Sequence, residues 1–311
     1  MTRAVKPRAK RRRQAPPPPK RSAWVERGLV GVGAFAIVLL AVGLWRVTGG
    51  DETTSSTDAG PVHVHGLGIN PADGALFIAT HTGLYRAGEG DSKSVRVGDN
   101  KQDTMGFTVA GANRFLGSGH PDFQQDLPPL LGLIESTDGG ESWEPISLLG
   151  EADFHVLRSA GERVYGYDAT NDRLLVSADA GRTWDEAQRP APLIDLAVHA
   201  DDSRHLVAAG AGDLFQGLYE SRDGGQSWKT IGDAVGLLAW PTPGRLFLVD
   251  GDGNVFLSTN GGARFERRGA IGGQAAALLG QGADELYAAL HDGTIKRSSD
   301  GGASWTVRST P

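Results

Sequence analysis

His63 and His65 stand two residues apart in HVHGLGI, and in an extended strand, where side chains alternate, that spacing turns both imidazoles to the same side. A neutral imidazole offers a lone pair near physiological pH, as hydrogen-bond partner, proton acceptor or metal ligand. The chain carries eight histidines and no cysteine, which removes disulfides, thiolate metal sites, a cysteine nucleophile and a lipidated cysteine. Imidazole is then the strongest metal ligand available. Paired with a thioether it suits copper, and paired with a carboxylate it suits zinc.

The elements that must position these groups are written as a repeat. Nearly the same turn recurs five times, as STDGGESW from Ser136, SADAGRTW from Ser177, SRDGGQSW from Ser221, STNGGARF from Ser258 and SSDGGASW from Ser298, at spacings of 41, 44, 37 and 40 residues. A period near 40 with several short strands per unit is that of a β-propeller blade. Working back from each turn places four strands, as in DFHVLRS, RVYGYD, RLLVS and TWDEA of residues 152–190. The same template fits 192–233, 235–269 and 273–309, and also 103–147 with PDFQQDLPPL as a long loop. A further unit, HVHGLGI to SVRVG, precedes these without the turn. The expectation is an all-β, six-bladed β-propeller over residues 62–311, preceded by one transmembrane helix.

In such a ring the first strand of each unit lines the central channel, and the loops between second and third strands open on the rim away from the repeated turns. Aligned on their strands, those loops begin FIATH, LGSGH, VYGYD, LVAAG, LFLVD and YAALH, ending in His81, His120, Asp168, Gly210, Asp250 and His291. The inner strands, aligned likewise, put His65, Met105, His155 and Asp195 at one level of the channel. Six of the eight histidines thus share one rim. His63, His65, His81 and His120, with Met105 or His155 nearby, form a candidate copper or zinc site. His155, Asp250 and His291 are candidate contacts to a polar ligand, and hydrogen bonding between strands is the structural alternative for all of them. A glycosidase needs two carboxylates about 5–10 Å apart, and Asp168, Asp195 and Asp250 are the ones this alignment supplies, with Asp168 or Asp195 as acid/base.

The pattern S-x-D-x-G-x-x-W resembles the Asp-box, or BNR repeat, of sialidases and other propellers. There the aspartate accepts hydrogen bonds from turn amides and the serine hydroxyl, glycine takes the positive φ, and tryptophan packs into the blade. The resemblance implies a structural role for Asp138, Asp179, Asp223 and Asp300, with Asn260 and Phe265 as a weakened copy. Residues 62–311 as a whole resemble a bacterial family labelled glycosyl hydrolase or exo-sialidase-like, through HVHGLGINPADG, ATHTGLYR, DTMGF, GSGHPD and GLIESTDGGESW. True sialidases carry an early R-I-P segment, three carboxylate-gripping arginines and a Tyr–Glu pair. This sequence has no R-I-P and no set of three arginines on its inner strands. A second resemblance is to Asp-box propellers that serve as assembly factors for membrane complexes.

Charge divides the chain. Residues 1–27 hold ten Lys/Arg and one acid, whereas residues 48–311 hold 20 basic and 36 acidic residues. Between them GLVGVGAFAIVLLAVGLW, residues 28–45, has no charge and is flanked by Arg27 and Arg46, with Trp24 and Trp45 at interfacial positions. Eighteen residues of helix rise about 27 Å, near the hydrocarbon thickness of a bilayer. No A-x-A site follows, so the reading is an uncleaved signal anchor over 28–47 rather than a signal peptide. A basic, Pro-rich tail (1–27) stays cytoplasmic, a flexible linker spans 48–61, and the propeller lies outside the cytoplasm on a single-pass membrane protein. An acidic ectodomain favours cationic partners and opposes nucleic acid. Together these point to binding of a metal, a small polar ligand or a partner protein at a His-rich channel mouth. The alternatives are a glycoside hydrolase acting on extracellular carbohydrate and an assembly factor for a membrane complex.

Overall fold

The computed structural model describes residues 60–212 and 216–311. The tail, the membrane anchor and nearly all of the linker expected from the sequence lie outside the described residues. Within them there is no α-helix, and none long and apolar enough to cross a membrane. Six four-stranded antiparallel sheets follow one another, each built from one contiguous stretch of chain. The inner strands are Val64–Ile69, Asp103–Gly111, Phe154–Ala160, Leu193–His199, Leu237–Thr242 and Ala275–Gln281. Each packs against the next, and the last packs against the first, so the ring is closed.

Packing explains the strand compositions. The second strands are buried along most of their length, LFIAT at Leu76–Thr80 at every position, because blades cover both of their faces. The outer strands are short and mostly exposed, as in Glu144–Ser147 and Glu266–Ala270, which blunts the sheet edges. Apolar side chains gather into six clusters, and each draws its members from two adjacent blades. One of them joins Val64, Leu76, Ile78 and Tyr85 of the first blade to Ala277, Tyr287 and Ile295 of the last. Closure therefore rests on the same apolar burial as every other blade contact. Outside the core, Thr310 donates its N–H to Ser92 O at 3.2 Å, and the Arg308 guanidinium donates to the carbonyls of Gly88 and Asp91.

The five repeated turns share one hydrogen-bond plan. In the first, Gly140 N–H donates to Ser136 Oγ at 2.7 Å, Ser136 Oγ donates to Asp138 Oδ1 at 2.8 Å, and Asp138 accepts from Ser142 N–H and Oγ. Asp179, Asp223, Asn260 and Asp300 sit in the same plan. Hydrogen bonds from the residue four positions on hold the carboxyls of Asp138, Asp179 and Asp223 down at about 2. The second glycine has a further reason to lack a side chain: a Cβ at Gly181 would lie 2.0 Å from Leu133 Cδ2, in the preceding blade. The aromatic of each turn packs into the cluster shared with that preceding blade, Trp143, Trp184, Trp228, Phe265 and Trp305 alike. The repeat therefore ties each blade to its neighbour.

Candidate metal centre at the channel mouth

The channel widens to a cavity of about 950 Å³ whose wall includes His63, His65, His81, His120, His155 and His291. Antiparallel pairing puts this mouth at the end of each second strand, one strand length from the repeated turns. A bulge shapes it. On the first blade Val64 pairs with Thr80 and Gly66 with Ala79, which leaves His65 as the extra residue. The same interruption leaves out Met105, His155, Ile194 and Ala276 on four other blades. All five line the cavity. A bulged residue escapes strict alternation, and the extra turn of backbone aims it into the channel.

The strand pairing also corrects three sequence expectations by one residue. Asp195 pairs with Ala209, and Ile194 takes the level of His65. At the loop end, the serines of the repeated turns pair with Phe115, Val164, Leu206, Leu246 and Leu286. Counting five residues on from each reaches His120, Ala169, Ala211, Gly251 and His291, and His81 is their counterpart on the first blade. Asp168 and Asp250 are one place early, and a one-residue slip reverses the face a strand residue presents. Asp168 is fully buried off the channel wall. It accepts hydrogen bonds from Arg173 Nη2 at 2.7 Å and Asn171 Nδ2 at 2.8 Å. Burial works against its charge, but Arg173 and Asn171 outweigh it and hold the carboxyl below its usual value. Asp250 caps its own hairpin by accepting from Asn254 N–H at 2.8 Å. Asp195 does border the channel, yet both of its oxygens are taken, by Arg158 Nη2 at 2.5 Å, Leu196 N–H and Leu238 N–H. Asp168 thus lies off the channel wall, and Asp195 borders it with its carboxylate held by these donors.

The histidines expected to share a rim do so. The rings of His65 and His81 meet edge to face with centroids 4.4 Å apart, and His63 lies 5.5 Å from His81. His63 adopts φ 55°, an uncommon left-handed conformation that turns it back over the mouth. Two carboxylates thread the imidazoles. His81 Nδ1 lies 2.6 Å from Asp103 Oδ1, and His120 Nδ1 lies 3.4 Å from Asp103 Oδ2. His120 Nε2 is 3.7 Å from Asp153 Oδ2, which His155 Nε2 approaches to 2.9 Å. Gly119 lets His120 close down on Asp103: at φ 136° a Cβ there would sit 2.0 Å from the Asp103 carbonyl oxygen. His291 reaches the cavity from the last blade, apart from this chain of contacts.

Electrostatics keeps Asp103 charged and His65 neutral. Burial alone would raise the Asp103 carboxyl, but hydrogen bonds from His120 and His81 outweigh it and leave it well below the usual carboxylate range. Burial, reinforced by the neighbouring His81, lowers His65 to about 3. Desolvation and the His63 charge lower His291 as well. His65 Nε2 and Asp153 Oδ1 are buried without a hydrogen-bond partner.

One ligand atom each from His65, His81 and Asp103 lies within 4.8 Å of the others. Modest side-chain rotation closes that span to the edge of about 3.4 Å set by metal bonds of 2.0–2.1 Å. The residues present therefore fit a divalent transition metal, with Met105 on the same wall. Sequence reasoning had passed over Asp103 and Asp153. Their signal was D-x-M and D-x-H at the places where the first blade reads H-x-H, the same two-residue step on the next two inner strands.

With this geometry in place, comparison adds the fold's wider company. A family model described as sortilin, neurotensin receptor 3 (Sortilin-Vps10) matches residues 132–252. No curated protein matches. Among solved structures, YCF48 bound to D1 peptide is similar with a TM-score of 0.50 at 15% identity, over 80% of this chain and 83% of that one. An ancestral GH74 enzyme gives 0.50 at 12% identity, over 83% of this chain and 40% of its own. A gluconolactonase from Xanthomonas campestris gives 0.63 at 12% identity, over 78% and 87%. At these identities the likeness is one of fold, and the chain is a β-propeller.

Proposed function

We propose that this chain is a membrane-anchored, extracytoplasmic β-propeller that binds a divalent transition-metal ion, zinc or copper, at its channel mouth. His65, His81 and Asp103 are the ligands. The carrying observation is that their ligand atoms lie within 4.8 Å of one another while the buried Nε2 of His65 has no partner. A buried imidazole nitrogen left unpaired costs free energy unless something fills the position. The two carboxylates Asp103 and Asp153 balance the charge of a divalent ion. Two imidazoles and a carboxylate match zinc, and a thioether ligand from Met105 would favour copper. Three protein ligands leave a coordination position open, which suits binding and exchange of a further ligand. The membrane anchor and the location of the propeller rest on the basic tail and the uncharged run of residues 28–45.

The test is metal content and Co2+ absorption of the full chain purified in detergent. The parent retains about one ion per chain. His65→Ala and His81→Ala weaken binding by at least about tenfold, whereas His199→Ala, away from the mouth, does not. An equal and negligible metal content in the parent and in the His65→Ala and His81→Ala variants would end this reading.

A further inference from the structure

A cavity of about 950 Å³ is far larger than one ion and its hydration shell. Its wall is divided by chemistry along the ring. At equivalent bulged positions the first three blades carry His65, Met105 and His155, while the fourth and sixth carry Ile194 and Ala276. At equivalent loop positions His81 and His120 face Ala211 across the ring. The backbone geometry is shared, so the difference lies in the residues alone. Ile194, Leu237, Ala276 and Leu278 line the channel and stay partly exposed within it, on inner strands whose neighbouring positions are mostly buried. Leaving such surface wet forgoes burial worth about 25 cal/mol per Å². On that side Asp195 is paired with Arg158 of the third blade at 2.5 Å, and His291 of the sixth blade stands at the loop end.

We infer that the channel binds an amphipathic organic molecule, with an apolar body lying on the walls of blades four to six. A neutral or singly anionic donor head completes the metal coordination at His65, His81 and Asp103. This rests on the metal reading above. The head follows from the wall around it: the side chains of Asp103 and Asp153 both border the cavity there, which disfavours a multiply charged anion. The body follows from the apolar wall, which a polar or purely inorganic ligand would leave wet.

The experiment uses the Co2+-loaded full chain in detergent and a series of alkyl hydroxamates from two to six carbons. The visible band of Co2+ reports the head, and its titration gives the affinity. Affinity is expected to rise about two- to fourfold for each added methylene, the range between half and full burial. Ile194→Asn and Ala276→Asp flatten that series without altering the band of the hydroxamate-free Co2+ protein, which also certifies their folding. Ile194→Val retains the series. A normal band with affinities independent of chain length overturns the inference and leaves the metal reading standing. A chain-length effect that persists in both polar variants also overturns it, because the body then binds elsewhere. Absence of any Co2+ band removes both.

Discussion

His65 gives the account a sharp thermodynamic handle. Burial, with the neighbouring imidazoles adding to it, drops its pKa from 6.5 to about 3. The folded state therefore refuses a proton that the unfolded chain accepts, and stability from this residue is complete above pH 6.5 and declines as the pH falls below it. A fully shielded ring would lose about 1.4 kcal/mol per pH unit, or about 2 kcal/mol between pH 6.5 and 5.0. His65 keeps partial exposure along the channel, and water there screens the charge, so about 1–2 kcal/mol is the expected range. For a domain of this size that is a shift of about 2–8 °C. Melting curves at pH 7.0 and 5.0, run in chelator, compare the parent with His65→Leu. The parent is expected to lose about 2–8 °C more than the variant on acidification. Equal losses, or an imidazole that titrates near 6.5 by NMR in the folded parent, would refute the reasoning.

Two further perturbations separate scaffold from site. Asp168→Asn strips Arg173 of its carboxylate and is expected to lower stability by about 2–3 kcal/mol in denaturant melts, with metal affinity unchanged; loss of metal binding at unchanged stability would contradict its placement off the channel. Gly106→Ala would press a Cβ to 2.3 Å from Phe154 O between adjacent inner strands, and a loss of at least about 3 kcal/mol or failure to fold is expected from such overpacking.

The architecture was legible because its turns are chemically demanding. Ser136, Asp138 and Gly140 must each supply a particular donor, acceptor or absent side chain, and the same needs recur in four more turns of the chain. The gathering of His63, His65, His81 and His120 was equally legible, since a ring of like blades brings equivalent strand ends together. Register was not. Asp168, Asp195 and Asp250 were each misplaced by one residue, because a bulge inserts a residue without leaving a mark in composition and loops differ in length. Counting from the serine of the repeated turn, which pairs at the same place in each of its blades, recovers the right column. Asp103 was overlooked for a related reason: it precedes the apolar run of its strand and reads as a loop residue until pairing with His120 places it inside the ladder.

Anomalous diffraction from crystals of the metal-loaded protein, collected at the metal's absorption edge, tests the central claim most directly. A single strong peak bounded by His65, His81 and Asp103, about 2 Å from a nitrogen of each imidazole, is the predicted result. A peak at the stacked pair His199 and His205, or no peak at all, would contradict it.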